Sequence, residues 1–339
     1  MSMSYHTRRN IRRLLVTLLT LLVVGILAAV CTVLWFQRYM VYTRDGAKLD
    51  FSLNMELQDG SVAQPPEELP NVDVYYNEGE NLLTPVTTEL TKIEGYHITA
   101  EMLMKKIDQV REAILQLPAG TTVMLDMKSE WGICYYESSI ARVSDDVDME
   151  KLNMLLETMR MRGLYLVARI PAFKDYYYAK SHQSHGIYVT GKKYLYAESD
   201  RIYWLNPASE GALMYLVQLV SELKGLGFNE VVFHGFRFPD TTDIHFSGDR
   251  QQTLAEAAAL LAKTCTTDKF AVSFEVTAPT LPLPEGRCRL YMSGVSAAQA
   301  AAIAAQTGIE DTAAKLVFVT DLRDTRFDPY SVMRQLKLG

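Results

Sequence analysis

From residue 93 onward, the chain alternates short apolar stretches with longer amphipathic ones. The short stretches predict strands at residues 95–99, 122–127, 164–170, 230–238, 271–276, 289–292 and 315–319. The amphipathic stretches predict helices near residues 100–116, 149–162, 209–226, 249–264 and 297–305. Strands that alternate with helices are typical of a parallel sheet covered by helices, so the pattern predicts an α/β fold.

The number of strand–helix units favours a TIM-like (β/α) barrel over a doubly wound sheet. No glycine-rich phosphate loop follows the first predicted strand, as a nucleotide-binding sheet would require. An eighth strand is missing from the pattern, because residues 330–336 predict only a short helix. The barrel is therefore either open at this position or completed by residues 49–57, which alternate apolar and polar side chains. We expect the second arrangement.

The N-terminal part of the chain has the pattern of a membrane anchor. Residues 14–36 carry no charge and are long enough to cross a bilayer, which takes roughly twenty apolar residues. Four arginines precede this run, whereas Arg38 alone follows it closely, so the N-terminus is predicted to stay cytoplasmic and the remainder to be exported. A cleaved signal peptide is the alternative, but the apolar run continues past Ala28 and Ala29 to Trp35.

These patterns divide the chain into three parts. Residues 1–37 form a cytoplasmic tail and a single transmembrane helix, and residues 38–92 form a spacer with short β-strands. Residues 93–339 form the barrel. The spacer contains the alternating stretch 49–57, a proline-containing polar stretch at 64–68 and a second alternation at 72–76. The sequence therefore predicts a single-pass cell-membrane protein whose barrel lies outside the cytoplasm.

Composition narrows the range of partners. The formal net charge is −6, and the arginines before the anchor leave the exported part more acidic, so a nucleic-acid partner is excluded. The chain has four cysteines. Cys31 lies in the predicted anchor, and the odd number that remains argues against a fold that depends on disulfides. A disulfide between Cys265 and Cys288 is left as an alternative. The sequence indicates no protein partner.

Polar residues gather where the predicted strands end. In a parallel barrel the reactive face is built at the C-terminal ends of the strands. The residues there are Asp126, Lys128, Arg169, His234, Arg237 and Glu275. The third connection, 171–207, is long and rich in aromatic residues, among them Tyr177 and Trp204, whose rings can stack on sugar rings. Such a set suits a carbohydrate or another polar substrate.

Several collinear motifs resemble a bacterial family of glycoside-hydrolase-like proteins with a TIM-barrel fold. The segment VMLDMK at 123–128, followed by Gly132 and Tyr135, looks like the second-strand signature of the family. The segment ARI at 168–170 is similar to its third-strand motif, and Trp204 with Pro207 matches its Trp-x-x-Pro. The segments GFNEV at 227–231 and RFP at 237–239 resemble the fourth strand. The resemblance extends from about residue 93 to 275 and implies a glycan ligand.

The chain departs from the family at one position that bears on catalysis. Members of the family have the motif Asp-Tyr-Val-Arg-Phe-Pro on the fourth strand, and its aspartate is their expected catalytic carboxylate. The resemblance aligns that aspartate with His234 of this chain. Glycoside cleavage usually needs two carboxylates that flank the scissile bond. The resemblance implies Glu275 as one of them. Asp126 is the candidate for the other, with Asp240 and Asp243 as alternatives. Lys128, Arg169, Trp204, His234, Arg237 and Tyr177 are the predicted substrate-binding residues.

Two further chemistries are possible from residue types alone. A metal site can be drawn from His234, His245, Asp240, Asp243, His182 and His185, but the spacing matches no metal-binding motif. Cys134 follows the second strand, but no base can be paired with it from sequence. We therefore expect neither a metal nor a cofactor. The sequence favours a glycan-binding barrel with a degenerate catalytic site, and an active hydrolase that uses Glu275 as acid/base is the alternative.

Overall fold

The structure is a computed structural model that describes the backbone of residues 40–43 and 46–49 and the whole of residues 89–338. The first two segments form an antiparallel pair of strands, Met40–Thr43 and Gly46–Leu49. None of the helices in the described ranges combines the length and apolarity that a membrane span requires. The predicted anchor at 14–36 and the spacer stretches at 50–57, 64–68 and 72–76 lie outside the described residues.

Residues 89–338 contain a closed barrel of eight parallel strands, each paired with its neighbours in chain order. Seven of them lie close to the predicted strands, although the fourth ends earlier than expected. The strands are β1 (Glu94–Ile98), β2 (Thr122–Asp126), β3 (Tyr165–Pro171), β4 (Glu230–His234), β5 (Ala271–Val276), β6 (Leu290–Ser293), β7 (Leu316–Val319) and β8 (Ser331–Gln335). The prediction of a TIM-like barrel is confirmed.

The prediction for the eighth strand is wrong. Residues 331–335 form strand β8, which pairs with β7 on one side and with β1 on the other. The expected helix at 330–336, the open edge and the closure by residues 49–57 are therefore all wrong. Ser331, Val332 and Met333 are buried in succession, because a strand of a closed barrel is covered on both faces. The period-two pattern that identifies a half-buried strand is consequently absent.

Helices cover the outer face of the barrel. They are α1 (Ala100–Lys105), α2 (Ile107–Ile114), α3 (Met149–Met161), α4 (Tyr176–Ser181), α5 (Glu210–Gly225), α6 (Arg250–Cys265), α7 (Ala300–Thr307) and α8 (Thr312–Lys315). Asp148, Ser209 and Asp249 cap three long helices by accepting hydrogen bonds from first-turn N–H groups. The predicted helix 100–116 is interrupted at Lys106. No helix separates β5 from β6, and this feature shapes the cavity described below.

The interior of the barrel has an apolar middle layer between two polar ends. Met124, Val167, Val232, Val317 and Met333 are fully buried and pack against one another in the middle. Bulky apolar side chains in layers are what fills the interior of a TIM barrel. The chain thus encloses a packed core rather than a channel, and its polar residues are confined to the two ends.

A network of polar side chains fills the lower end, where the strands begin. The Glu230 carboxylate accepts hydrogen bonds from the Ser273 hydroxyl at 2.5 Å and the Tyr291 hydroxyl at 3.0 Å. It accepts another from the Tyr165 hydroxyl at 3.0 Å and forms an ion pair with Arg289. Arg289 also donates to two backbone carbonyl groups. The glutamate of the Gly-Phe-x-Glu motif is therefore a structural residue, and we call these five side chains the lower layer.

The three cysteines of the described region do not pair. Cys134, Cys265 and Cys288 are free and buried, so the bridge between Cys265 and Cys288 is not formed in this structure. Burial raises the pKa of Cys265 to about 11 and that of Cys288 to about 12. Both thiols therefore stay protonated near neutral pH and act as small core residues.

The lower layer makes a prediction about stability. Replacing Arg289 by leucine leaves the Glu230 carboxylate buried without its counter-charge, which typically lowers the free energy of unfolding by about 3–5 kcal/mol. The measurement is chemical denaturation of the full chain in detergent, followed by circular dichroism. Arg326→Leu is the matched control, because it removes an arginine from an exposed pair with Asp324 and should change stability little. Equal losses in the two variants would contradict a structural role for the lower layer.

Candidate functional site

Five polar side chains meet at the upper end of the barrel, where the strands end. Strands β1 to β5 each contribute one of them, and we call the set the upper layer: His97, Asp126, Arg169, His234 and Glu275. These side chains lie near the C-terminal ends of their strands, which is the functional end of a TIM barrel. Four of the five were predicted as site residues, and the structure brings them together.

Arg169 holds both candidate carboxylates. Its Nε and Nη2 atoms donate to the two oxygens of Glu275 at 2.6 and 3.2 Å, which is a bidentate ion pair. Its Nη1 atom donates to Asp126 Oδ1 at 3.0 Å. The acidic partners raise the pKa of Arg169 although burial opposes this. One guanidinium group therefore joins β2, β3 and β5 through charge-assisted hydrogen bonds.

Asp126 has two further partners besides Arg169. His97 Nε2 lies 2.9 Å from Asp126 Oδ1, and the backbone N–H of Ala100 donates to Oδ2 at 3.3 Å. Burial alone would raise the pKa of Asp126, but the hydrogen bonds and charges of His97 and Arg169 lower it well below its ordinary value. Asp126 is therefore ionised at any physiological pH.

His234 is the last residue of β4. Burial lowers its pKa well below the ordinary 6.5, and the positive charge of Arg169 adds to this effect. The imidazole is consequently neutral and can either donate or accept a hydrogen bond. It offers a bound molecule a polar contact without supplying the negative charge that an aspartate would bring.

Asp126 lacks the features of a general acid for glycoside cleavage. A carboxyl group that protonates a leaving oxygen must have a raised pKa and carry a proton. Asp126 does not meet this requirement, because the hydrogen bonds and charges of His97 and Arg169 lower its pKa although burial opposes this. Arg169 also pairs with Glu275, and the layer as a whole offers several hydrogen-bonding groups to a polar molecule.

A cavity of about 220 Å³ adjoins Glu275 between the ends of β4, β5 and β6. Arg237, another predicted site residue, also lines it. Arg237 donates to the carbonyl oxygen of Phe238 at 2.9 Å and lies 3.7 Å from Glu198. The cavity therefore extends the upper layer sideways and brings Arg237 and Glu275 to one space.

Lys128 is not part of this space. Its Nζ atom lies 2.7 Å from Asp175 Oδ2, and the side chains of both residues are 1% exposed. Tyr215 donates a second hydrogen bond to the same carboxylate at 2.9 Å, and Asp175 also caps α4. The predicted substrate contact from Lys128 is unavailable, because this ion pair fixes the long third connection onto the barrel.

The two predicted aromatic contacts also lie elsewhere. Trp204 is 1% exposed, and its ring is flanked by Lys174 Nζ at 5.4 Å and Arg237 Cζ at 4.9 Å from the ring centroid. Tyr177 packs against Arg142 and lines a separate groove. Neither ring presents a face to the upper layer, so stacking on a bound sugar is not available from them.

The structure also shows the surroundings of the residues from which a metal site or a cysteine nucleophile could be drawn. Within residues 89–338, no group of three histidine, cysteine, aspartate or glutamate side chains is arranged to hold a metal. His182 stacks on Tyr178 at 4.3 Å between ring centroids, and His185 lies 3.1 Å from its hydroxyl. Burial raises the pKa of Cys134 to about 11, so its thiol is not a nucleophile.

His97 is the upper-layer residue that sequence reasoning missed. The same signal that identified Asp126, a polar side chain near the end of a predicted strand, applies to residue 97. The other missed residues line the cavity beside Glu275, and they come from β6, α6 and the loop after β5. No motif marks them, because they are brought together only by the closure of the barrel.

The charge state of His234 is directly testable. Because burial and Arg169 oppose its protonation, we expect the His234 imidazole to remain neutral at pH 6.5, where an unperturbed histidine is half protonated. The measurement is a pH titration by NMR of histidine-labelled protein, with His234→Gln to assign the signal. Arg169→Met should move the titration midpoint upward, since it removes the positive charge that contributes most to the lowered pKa after burial. A wild-type midpoint at or above 6.5 would refute this account.

Comparison with known proteins identifies the family. A family profile described as "Putative glycosyl hydrolase domain" matches residues 95–272, which is more than half of the chain. No curated protein matches the chain. A hypothetical protein from Ruminiclostridium thermocellum has a similar structure, with 16% sequence identity over 53% of this chain and 96% of that chain and a TM-score of 0.47.

Two enzymes are also similar in fold. An exo-β-N-acetylglucosaminidase of glycoside hydrolase family 20 from Vibrio harveyi is 12% identical over 67% of this chain and 41% of its own, with a TM-score of 0.47. A family 36 α-galactosidase from Geobacillus stearothermophilus is 12% identical over 74% of this chain and 39% of its own, also with a TM-score of 0.47. The chain spans less than half of either enzyme. On the evidence of the profile match, the chain belongs to the family of glycosyl-hydrolase-like domains with a (β/α) barrel.

Proposed function

We propose that this protein is a membrane-anchored barrel that binds cell-envelope or extracellular polysaccharide on the outer side of the membrane, with a degenerate catalytic site. The observation that carries the proposal is the pairing of both candidate carboxylates, Asp126 and Glu275, with the single guanidinium group of Arg169. The guanidinium group thus occupies hydrogen-bonding positions on both carboxylates that cleavage of a glycosidic bond would use.

The replacement of the family's motif aspartate by His234 supports the same conclusion. A neutral imidazole cannot stabilise a positively charged sugar intermediate as a carboxylate does. The polar groups that remain can still form hydrogen bonds with sugar hydroxyls. Membership of a glycosyl-hydrolase-like family and the polar upper layer together favour a carbohydrate as the ligand.

The location rests on the sequence of the N-terminal part. The uncharged run at 14–36, preceded by Arg8, Arg9, Arg12 and Arg13, supports a single transmembrane helix with the N-terminus in the cytoplasm. A barrel tethered in this way meets glycans of the envelope or the surroundings. A single-pass cell-membrane protein is therefore the location that we propose.

An active hydrolase is the second candidate function. The position of Glu275 beside a cavity favours it, because a substrate group in that cavity would lie next to the carboxylate. Glu275 would then serve as acid/base once a ligand displaced Arg169, with Asp126 as the second carboxylate. This function requires turnover, whereas the binding function requires only affinity.

The two functions predict different results with a panel of peptidoglycan and polysaccharide substrates. We expect the full chain in detergent to bind at least one glycan without releasing reducing ends. Glu275→Gln should weaken that binding about tenfold or more, because a hydrogen bond to a charged group contributes about 1.5–3 kcal/mol. The measurements are calorimetric titration and a reducing-end assay.

The matched control is Glu310→Gln, which makes the same chemical change at an exposed position. It should leave binding unchanged. His234→Asp restores the family's residue and tests whether this position alone prevents cleavage. If the wild-type chain cleaves a glycan and Glu275→Gln abolishes the cleavage, the hydrolase function is correct and the function of binding alone is wrong.

A further inference from the structure

The cavity beside Glu275 exists because the barrel lacks a helix between β5 and β6. Residues 277–289 connect these strands without a helix and contain Pro279, Pro282 and Pro284, each of which lacks the backbone N–H that a helix interior needs. The start of α6 forms the opposite wall through Gln251 and Leu254. The volume between them is about 220 Å³.

A sharp turn after β4 provides the inner wall. Gly235 has φ +62, a left-handed conformation that glycine adopts without strain. The turn directs the N–H of Phe236 toward the carbonyl oxygen of Glu275 at 3.4 Å, and the Phe236 ring packs edge-on against Phe274 at 4.8 Å between centroids. The phenyl ring of Phe236 is thus a fixed, buried part of the cavity lining.

The lining combines apolar walls with a few hydroxyl groups. Phe236, Val276 and Leu281 are buried and give the cavity its apolar character. Its polar groups, apart from Glu275 and Arg237, are the amide of Gln251 and the hydroxyls of Thr277, Thr280 and Ser293. This composition contrasts with that of the upper layer, where every side chain is polar.

The geometry points to a subsite for a short acyl group carried by a sugar of the bound glycan. The volume lies below the roughly 300–1,000 Å³ of sites that enclose a whole ligand, so it suits a substituent. An acyl methyl group can pack against Phe236 and Leu281, and its carbonyl oxygen can accept a hydrogen bond from a threonine or serine hydroxyl. This inference rests on the proposed function and names the class of glycan.

The apolar part of this lining, formed by Phe236, Val276 and Leu281, offers no hydrogen-bond partner to the hydroxyls of an unsubstituted sugar ring. Each hydroxyl that enters an apolar cavity without a partner loses its hydrogen bonds to water, which is unfavourable. A saturated hydrocarbon would leave the threonine and serine hydroxyls without a partner for the same reason. An acyl group has one apolar end and one acceptor, so it matches both parts of the lining. N-acyl and O-acyl sugars share this chemistry.

The test compares neutral oligosaccharides that differ in their acyl groups. Tetra-N-acetylchitotetraose is paired with cellotetraose, and an O-acetylated xylotetraose is paired with xylotetraose, each titrated calorimetrically into the full chain in detergent. We expect the acylated member of at least one pair to bind about tenfold more tightly, the effect of one small apolar group in a fitted pocket. The pair that shows the difference distinguishes an N-acyl from an O-acyl ligand.

Ala278→Trp tests whether the cavity is responsible. Ala278 is exposed and lines the cavity, so a tryptophan there should fill the space without disturbing the core. The variant should lose most of the preference for the acylated member and retain its affinity for the unacylated one. Ala301→Trp, at an exposed position of α7, is the matched control and should retain the preference.

The outcomes separate this inference from the proposed function. If both members of each pair bind equally, or if Ala278→Trp leaves the preference intact, the acyl subsite is wrong. If none of these four oligosaccharides binds but another glycan of the panel does, the subsite is again wrong and the binding function stands. If no glycan binds at all, the proposed function fails and the subsite with it.

Discussion

The hydrogen bonds that Arg169 donates to two carboxylates determine how the upper end of the barrel can meet a ligand. A guanidinium group has one positive charge and several donors in a fixed plane, so it can hold two carboxylates at once. Here it holds Asp126 and Glu275, which lie on different strands and are far apart in sequence. The layer thus sets one positive charge against two negative ones, and it can meet a polyhydroxyl molecule through charge-assisted hydrogen bonds.

The two ends of the barrel use the same chemistry under different exposure. At the lower end, the side chains of Arg289 and Glu230 are 2% and 0% exposed, whereas at the upper end those of Arg169 and Asp126 are 19% and 17% exposed. A buried charge must be satisfied inside the protein, so the lower layer can only be structural. The upper layer retains contact with solvent, which allows a ligand to replace water there. The solvent exposure of the side chains, more than their residue type, distinguishes the structural lower layer from the upper layer.

Much of the fold could be predicted because strands and helices leave different periods in the sequence. Seven strands were found close to their true limits, and the eighth was missed since residues 331–333 are buried on both faces and lack a period of two. For the candidate site, Asp126, Arg169, His234 and Glu275 were predicted from their positions on the strands, and the structure brings these four side chains together. Lys128 follows the same rule but turns to Asp175, and Trp204 is covered by two cations. Such contacts depend on the path of a long loop, which sequence patterns do not encode.

The late position of strand β8 has a consequence for biosynthesis. The backbone N–H of Ile93 bonds to the Ser331 hydroxyl across a sequence separation of 238 residues, and Val332 returns a bond to the Ile93 carbonyl oxygen. The first strand of the barrel therefore cannot acquire its last neighbour until nearly the whole domain has been synthesised. Contacts of such long range slow folding, and an incomplete barrel exposes two unpaired strand edges. Those edges need to be shielded from other chains until residue 335 has been added.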